Sequence, residues 1–239
     1  MVDAKRLCGA LLVGTLAGCA TSGGNPADPL EPLNRVVFSF NDAADKAVIK
    51  PVARAYRAVL PGAVRTGVSN FFSNLEDVWI SVNDVLQGKF QQGVDDLGRF
   101  LFNSTFGIAG IFDFASELGF QKHNEDFGQT LGSWGVGSGA YLVLPILGPS
   151  SIRDGFGLLL DTQADLVFYV DGVPVHNSLY GARAISNRAN LLDASSVIDQ
   201  AALDKYSFVR DAWLQRRRNL VYDGNPPRER EEPDDEPTK

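Results

Sequence analysis

Few residues in this chain are arranged for catalysis. The histidines, His123 and His176, stand far apart, and neither falls in an H-x-x-x-H pair or beside a cysteine. Each reads as a surface or capping residue. Glu76, Asp77 and Asp84 read as the polar face of one helix, ahead of a carboxylate pair for acid–base work. Gly137-Ser138-Gly139 lacks the offset and the preceding strand of a nucleophile elbow. Gly135-x-Gly137-x-Gly139 follows helical sequence, where a dinucleotide loop would follow a strand. No catalytic residue, metal or cofactor is therefore expected, and the chain reads as a non-enzyme. The basic run Arg216-Arg217-Arg218 complements a helix dipole at its C-terminus and is also a candidate partner-facing surface.

Cys19 is the residue whose surroundings specify a reaction. Lys5 and Arg6 precede an apolar stretch, Leu7 to Leu16, that is too short to cross a bilayer, which takes about 20 apolar residues. Small residues Ala17 and Gly18 follow, and then Cys19. Leu16-Ala17-Gly18-Cys19 resembles the lipobox of bacterial lipoprotein signals, in which the thiol is diacylated and the chain is cut just before it. Ala20 follows the cysteine in place of Asp, which by that resemblance directs the product to the outer membrane. Residues 1–18 are then a signal peptide and 19–28 a lipidated, small-residue tether. Cys8 leaves with the signal, so the mature chain has no disulfide. The formal charge is −7, and the signal carries a net +1, leaving −8. Such acidity argues against nucleic acid and against docking on anionic headgroups by charge. The 15 Phe against a single Met cluster between residues 71 and 127, yet no other stretch approaches 18 unbroken apolar residues.

The elements follow from periodicity. Leu33, Val36, Val37, Phe40 and Ala44 predict an amphipathic helix over 31–46, and Pro51 opens a second that ends before Pro61. Val64, Val68, Phe71 and Phe72 share a face. Ser73-Asn74-Leu75-Glu76 matches a capping box that starts a new helix, stopped at Gly88. Phe90, Val94, Leu97, Phe100 and Leu101 define another, and short helices fit 106–118. Gly132, Gly135, Gly137 and Gly139 predict a loop or hairpin leading into 141–147. Ser150 or Ser151 caps the next helix. Residues 166–175 fit either a small strand pair around Asp171-Gly172 or helix ends joined by a turn. Helices over 176–192 and 199–221 follow, and 223–239 is a disordered acidic, Pro-rich tail. The fold class is all-α, with a helical domain over 29–222. A helix from Leu75 to Gln87 is about 20 Å long, short of the roughly 30 Å hydrocarbon core. Such helices sit in one leaflet if their polar faces turn inward, giving an interior more polar than the outside.

Several strings resemble the MlaA (VacJ) lipoproteins of Gram-negative outer membranes. They are Asp28-Pro29-Leu30-Glu31-Pro32-Leu33-Asn34-Arg35, then 70–93 (NFFSNLEDVWISVNDVLQGKFQQG), 99–119, 124–154, 188–193 (RANLLD) and 206–218 (YSFVRDAWLQRRR). Two positions depart from that pattern: Ala140 and Phe114 stand where the family commonly has Pro. The resemblance implies a single ring-like domain of short helices with a Gly-rich hairpin loop, embedded in the inner leaflet and bound to trimeric porins. It implies a channel that takes glycerophospholipid from the outer leaflet and passes it to a periplasmic carrier of the Mla pathway, maintaining asymmetry. By the same resemblance Gly135, Gly137, Gly139 and Tyr141 sit at the hairpin beside the channel. For Phe40 and Asn41 in the first amphipathic helix the functional reading is control of how the ring seats in the leaflet, with simple packing the alternative for Phe40. A structural scaffold bound to porins, or a phospholipase, are the alternative functions.

Overall fold

Apolar residues at helical spacing build α1 (Glu31–Ala44), but Pro51 opens no separate helix. Proline has no N–H for the carbonyl four residues back. The chain absorbs that mismatch in a π turn, Asp45–Ile49, where the Lys50 N–H bonds the Asp45 carbonyl. Helix α2 (Lys50–Val59) continues without a break and ends where Leu60, just before Pro61, becomes extended. The computed structural model describes residues 25–227. The signal segment, Cys19 with most of its tether, and the tail beyond 227 lie outside the described residues. The tether expected to reach residue 28 stops short of Asp28, which is buried in the fold.

The Ser73–Glu76 pattern caps nothing. Helical period is already established upstream, so α3 runs unbroken over Gly62–Leu86, 25 residues, or about 37 Å. That exceeds the hydrocarbon thickness, and the length argument fails for this helix. Its composition decides instead: Asn74, Asp77, Ser81 and Asp84 are buried along one face. No helix among the described residues is both long and apolar enough to cross a membrane. Gly88, at φ 80°, ends α3 as expected and turns the chain into α4 (Phe90–Phe106). Helix α5 (Phe114–Glu117) starts without a proline at 114, because the Asp113 carboxylate accepts the Ser116 N–H.

After α6 (Phe127–Ser133) come β1 (Tyr141–Leu144) and β2 (Gly148–Ser151), antiparallel with Tyr141 opposite Ser151 and Leu144 opposite Gly148. The turn of this hairpin is Pro145-Ile146-Leu147, so the cluster Gly135, Gly137 and Gly139 leads into the hairpin and does not form its tip. Ser151 caps α7 (Ile152–Ala164). Residues 166–175 prove to be helix ends joined by a turn: a 3-10 segment, Leu166–Tyr169, then Gly172 at φ 90° and α8 (Val173–Asn190). The helix expected over 199–221 is two elements, the end of α9 (Leu192–Ala201) and α10 (Lys205–Val221), which Asp204 caps.

These elements close a circuit, consistent with the ring-like, mainly helical reading. The continuous α1–α2 packs α8, α8 packs α3, α3 packs α6, α6 packs α10, α10 packs β2, and β1 returns to α1. The circuit is inverted in polarity. Among the described residues 18 polar or charged side chains are buried against 10 apolar ones, the reverse of an ordinary core. Helix α4 shows how: Asp96, Arg99 and Asn103 are buried on one face, while Phe90, Val94, Leu97 and Leu101 stand exposed on the other.

The closure at β1 rests on Asn34. Its Nδ2 donates to Asp28 Oδ1 at 2.8 Å and to the Tyr141 carbonyl at 3.0 Å, and its Oδ1 accepts the Val143 N–H at 2.9 Å. The amide thus supplies the edge of β1 with the partners a third strand would give. Asn34→Leu would leave those backbone groups and Asp28 short of partners in a buried position, where each unsatisfied group costs about 1–3 kcal/mol. We expect a loss of about 3 kcal/mol in urea unfolding of the detergent-solubilised protein, with α-helical circular dichroism retained in the absence of denaturant.

Candidate functional site

A cavity of about 1390 Å³ opens between the glycine segment and α10. Gly135, Gly137 and Ser138 form one wall, and Arg153, Arg217 and Arg218 contribute to the other. Gly139 and Tyr141, expected beside them, do not line it. The Tyr141 ring is buried against Tyr206 and Trp213, and burial pushes its hydroxyl up to about 12. A side chain at Gly137 would meet nothing within 4 Å, and its φ lies outside the left-handed region. Gly135 is equally open but holds φ +90°, and Gly139 holds φ +67°, so at those two the backbone itself calls for glycine.

The basic run divides. The Arg217 guanidinium turns inward and grips two carboxylates, with Nη1 and Nη2 on Asp126 at 2.5 and 2.6 Å, and Nε and Nη2 on Asp154 at 3.0 and 2.8 Å. It is therefore an internal tie between α10, the α6 cap and α7, and not a partner-facing residue. Arg218 donates to the Pro227 carbonyl, and Arg216 is exposed at the rim of a second cavity. Arg153 Nε reaches Asp154 Oδ1 at 2.9 Å. The charged lining of the larger cavity is Arg153, Arg217, Arg218 and Asp211, and Asp126 and Asp154 hold the guanidiniums of Arg217 and Arg153 from outside that lining. Burial works to raise Asp126, but the bonds and charge of Arg217 outweigh it and hold the carboxyl below the usual range. Close packing enforces the arrangement: a Cβ at Gly128 would lie 2.5 Å from both Arg217 and Asp154.

Asn41 latches the hairpin. Its Nδ2 donates to the Leu144 carbonyl at 2.9 Å, and its Oδ1 accepts the Ile146 N–H at 2.8 Å. Ile146 holds φ 65°, a strained conformation for a β-branched residue, and this bond fixes it. Phe40, next in sequence, is 57% exposed, and the hairpin tip is equally apolar, with Ile146 59% and Leu147 67% exposed. The sequence pair thus separates into an internal latch and an outward apolar contact.

The sequence reading missed further groups. Asn34, Asp126 and Asp154 were missed because β1 and Arg217, which they bind, lie in other elements, and Arg153 was missed with them. His123 was expected at the surface or in a cap. Its side chain is instead mostly buried, with Nδ1 2.7 Å from Asp96 Oδ2. Asp77 and Asp84 do lie on one helix face, but that face is inside. Lys122 and Arg99 pair with Asp77, while burial pushes its carboxyl up to about 6 against those charges.

A helical circuit with apolar side chains outward, charges inward and a polar-rimmed cavity defines a class: mainly helical proteins with a polar interior. The model of the family described as MlaA lipoprotein matches residues 26–220. The intermembrane phospholipid transport system lipoprotein MlaA of Shigella flexneri is 35% identical, covering 92% of this chain and 90% of that protein. Its namesake from Haemophilus influenzae is 32% identical, covering 87% of each. A solved structure described under "Structural basis for maintenance of bacterial outer membrane lipid asymmetry" superposes with a TM-score of 0.71 at 35% identity, covering 81% of this chain and 98% of that one. This chain belongs to the MlaA lipoprotein family.

The Arg217 clamp predicts a measurable acid response. Arg217→Met keeps the stem but leaves Asp126 without its cation and Asp154 with Arg153 alone, a loss of about 3 kcal/mol at neutral pH. The folded Asp126 value is depressed, so the stabilisation is complete above the ordinary aspartate value near 4 and fades as pH falls through the folded one. Urea midpoints of wild type and variant should therefore differ clearly at pH 7 and converge as pH falls below the ordinary aspartate range.

Proposed function

We propose that this chain is an outer-membrane lipoprotein that withdraws mislocalised glycerophospholipid from the outer leaflet and passes it to a periplasmic carrier, maintaining lipid asymmetry. The observation that carries the reading is the inverted polarity around a cavity. A phospholipid's acyl chains gain little by leaving lipid for an apolar tunnel, whereas its headgroup is costly to drag through hydrocarbon. A protein that keeps apolar residues outward and hydrogen-bonding groups inward lowers that cost while the tails remain in lipid. The cavity wall carries Arg153, Arg217, Arg218 and Asp211, which offer charged hydrogen-bonding partners to a polar headgroup.

Anchoring through diacylated Cys19, with the helices in one leaflet, completes the reading. Phe40 and the Ile146–Leu147 tip are the apolar contacts that seat the ring, and Asn41 keeps that tip in register with α1. Trimeric porins and a periplasmic lipid carrier are the protein partners, with Arg216 the remaining member of the basic run available to meet them. A deletion strain assayed for outer-leaflet phospholipid, together with purified protein assayed for lysophospholipid release, separates the alternatives. Accumulated phospholipid without hydrolysis supports the conduit, fatty-acid release supports a phospholipase, and neither result leaves a scaffold.

Gly137 is the proposed gate hinge, because it faces open space and makes no side-chain demand on the fold. Gly137→Pro should preserve protein level and melting temperature while raising outer-leaflet phospholipid several-fold, measured by the outer-leaflet labelling of that lipid in cells. Normal asymmetry in the variant would reject the gate.

A further inference from the structure

Asp84 in α3, Asp96 in α4 and His123 in the segment before α6 converge from three parts of the chain. One ligand atom from each lies within 4.8 Å of the other two. Both aspartates are 0% exposed, and neither oxygen of Asp84 has a hydrogen-bond donor. We propose that these three side chains bind a divalent cation of borderline softness, with Zn²⁺ its representative.

The donor set argues for that ion class. Two carboxylates and an imidazole suit Zn²⁺ or a neighbouring transition metal, whereas Mg²⁺ and Ca²⁺ prefer oxygen alone. A tetrahedral site with bonds of about 2.0–2.2 Å sets ligand atoms roughly 3.3–3.6 Å apart, so atoms as far apart as 4.8 Å close by about 1 Å when the ion binds. The nearby cations are already committed. Lys89 holds Glu125 and Asp223, and Lys122 holds Asp77. Among the described residues no lysine or arginine pairs with Asp84 or Asp96, and His123 Nδ1 lies 2.7 Å from Asp96 Oδ2. A route in exists, because His123 and Glu125 line a cavity of about 560 Å³ that reaches the surface beside α10. That cavity also leaves water as the fourth ligand. The ion would tie α3, α4 and the 119–126 segment together on the inner side of the ring.

The test uses the untagged full-length protein in detergent micelles, stripped with EDTA and dialysed at pH 8 against micromolar Zn²⁺ or millimolar Mg²⁺. Bound metal is counted by mass spectrometry. One equivalent of Zn²⁺ and none of Mg²⁺ is expected in wild type, falling to background in Asp84→Asn and His123→Gln. Asp84→Asn retains the shape of the protonated acid, so its fold, checked by circular dichroism, should survive. Zn²⁺ should also slow diethyl pyrocarbonate modification of His123 at least tenfold while leaving His176 unchanged. Wild type without bound Zn²⁺, or variants that bind as well as wild type, would show that the two aspartates simply share a proton and overturn the site. Neither result bears on lipid transport, which is read separately from cellular asymmetry.

Discussion

An interior built largely of polar side chains must be held by specific bonds, because buried apolar side chains are the minority there. A hydrophobic core tolerates many arrangements of similar volume, but a buried carboxylate or amide accepts only the partners whose geometry fits. The ring is consequently held by a limited set of long-range ties. Asn34 joins α1 to β1, Arg217 joins α10 to Asp126 and Asp154, and Thr130 donates to Asn83 to join α6 to α3. Trp79 donates its indole N–H to Asp161, which also accepts the Phe127 N–H, so α3, α6 and α7 meet on one carboxylate.

The same constraint explains where the small residues lie. Gly93 lets α3 and α4 approach, for a Cβ there would stand 3.0 Å from the Ser81 carbonyl, and the Ser81 hydroxyl donates to the Gly93 carbonyl. Gly157 does the same for α7 and the α6 N-terminus, where a Cβ would stand 2.5 Å from the Gly128 nitrogen. Close approach shortens the polar bonds that close the ring and shields them from water. By contrast Gly135 and Gly137 meet no neighbour. Glycines of one composition-rich region thus serve different ends: tight contact at Gly128 and Gly132, open freedom at Gly137.

The hairpin is the second consequence. Two four-residue strands are too short to stand alone, and theirs are buttressed on both sides. Asp28, Asn34 and Tyr206 form a buried hydrogen-bonded group behind β1, with Arg210 beside Asp28. Tyr141 and Val143 pack on Tyr206, Val37 and Trp213, and Asn41 holds the strained tip. The string from Asp28 to Arg35 is therefore a docking device for β1 and α10: Asp28 and Asn34 reach the strand, and Arg35 pairs with Asp204 at the α10 cap.

Much of this was legible from one sequence. Periodicity located the helices through α4, Gly88 marked a stop, Ser151 marked a cap, and the amphipathy implied polar faces turned inward. Local signals failed where a continuing helix overrode them: Pro51 was absorbed by a π turn, and the Ser73–Glu76 pattern lay inside a helix already running. The 202–204 break was missed because no Gly or Pro marks it. Pairing was beyond reach for a different reason. Arg217 looked like one of three equivalent cations, and His123 like a surface residue, because a side chain's partner depends on which elements meet, often a hundred residues away. Sequence alone determined which faces are polar and where the chain turns, since those are properties of neighbouring residues. Only the tertiary structure decided which polar groups meet, because hydrogen bonds and ion pairs are satisfied by distance in space.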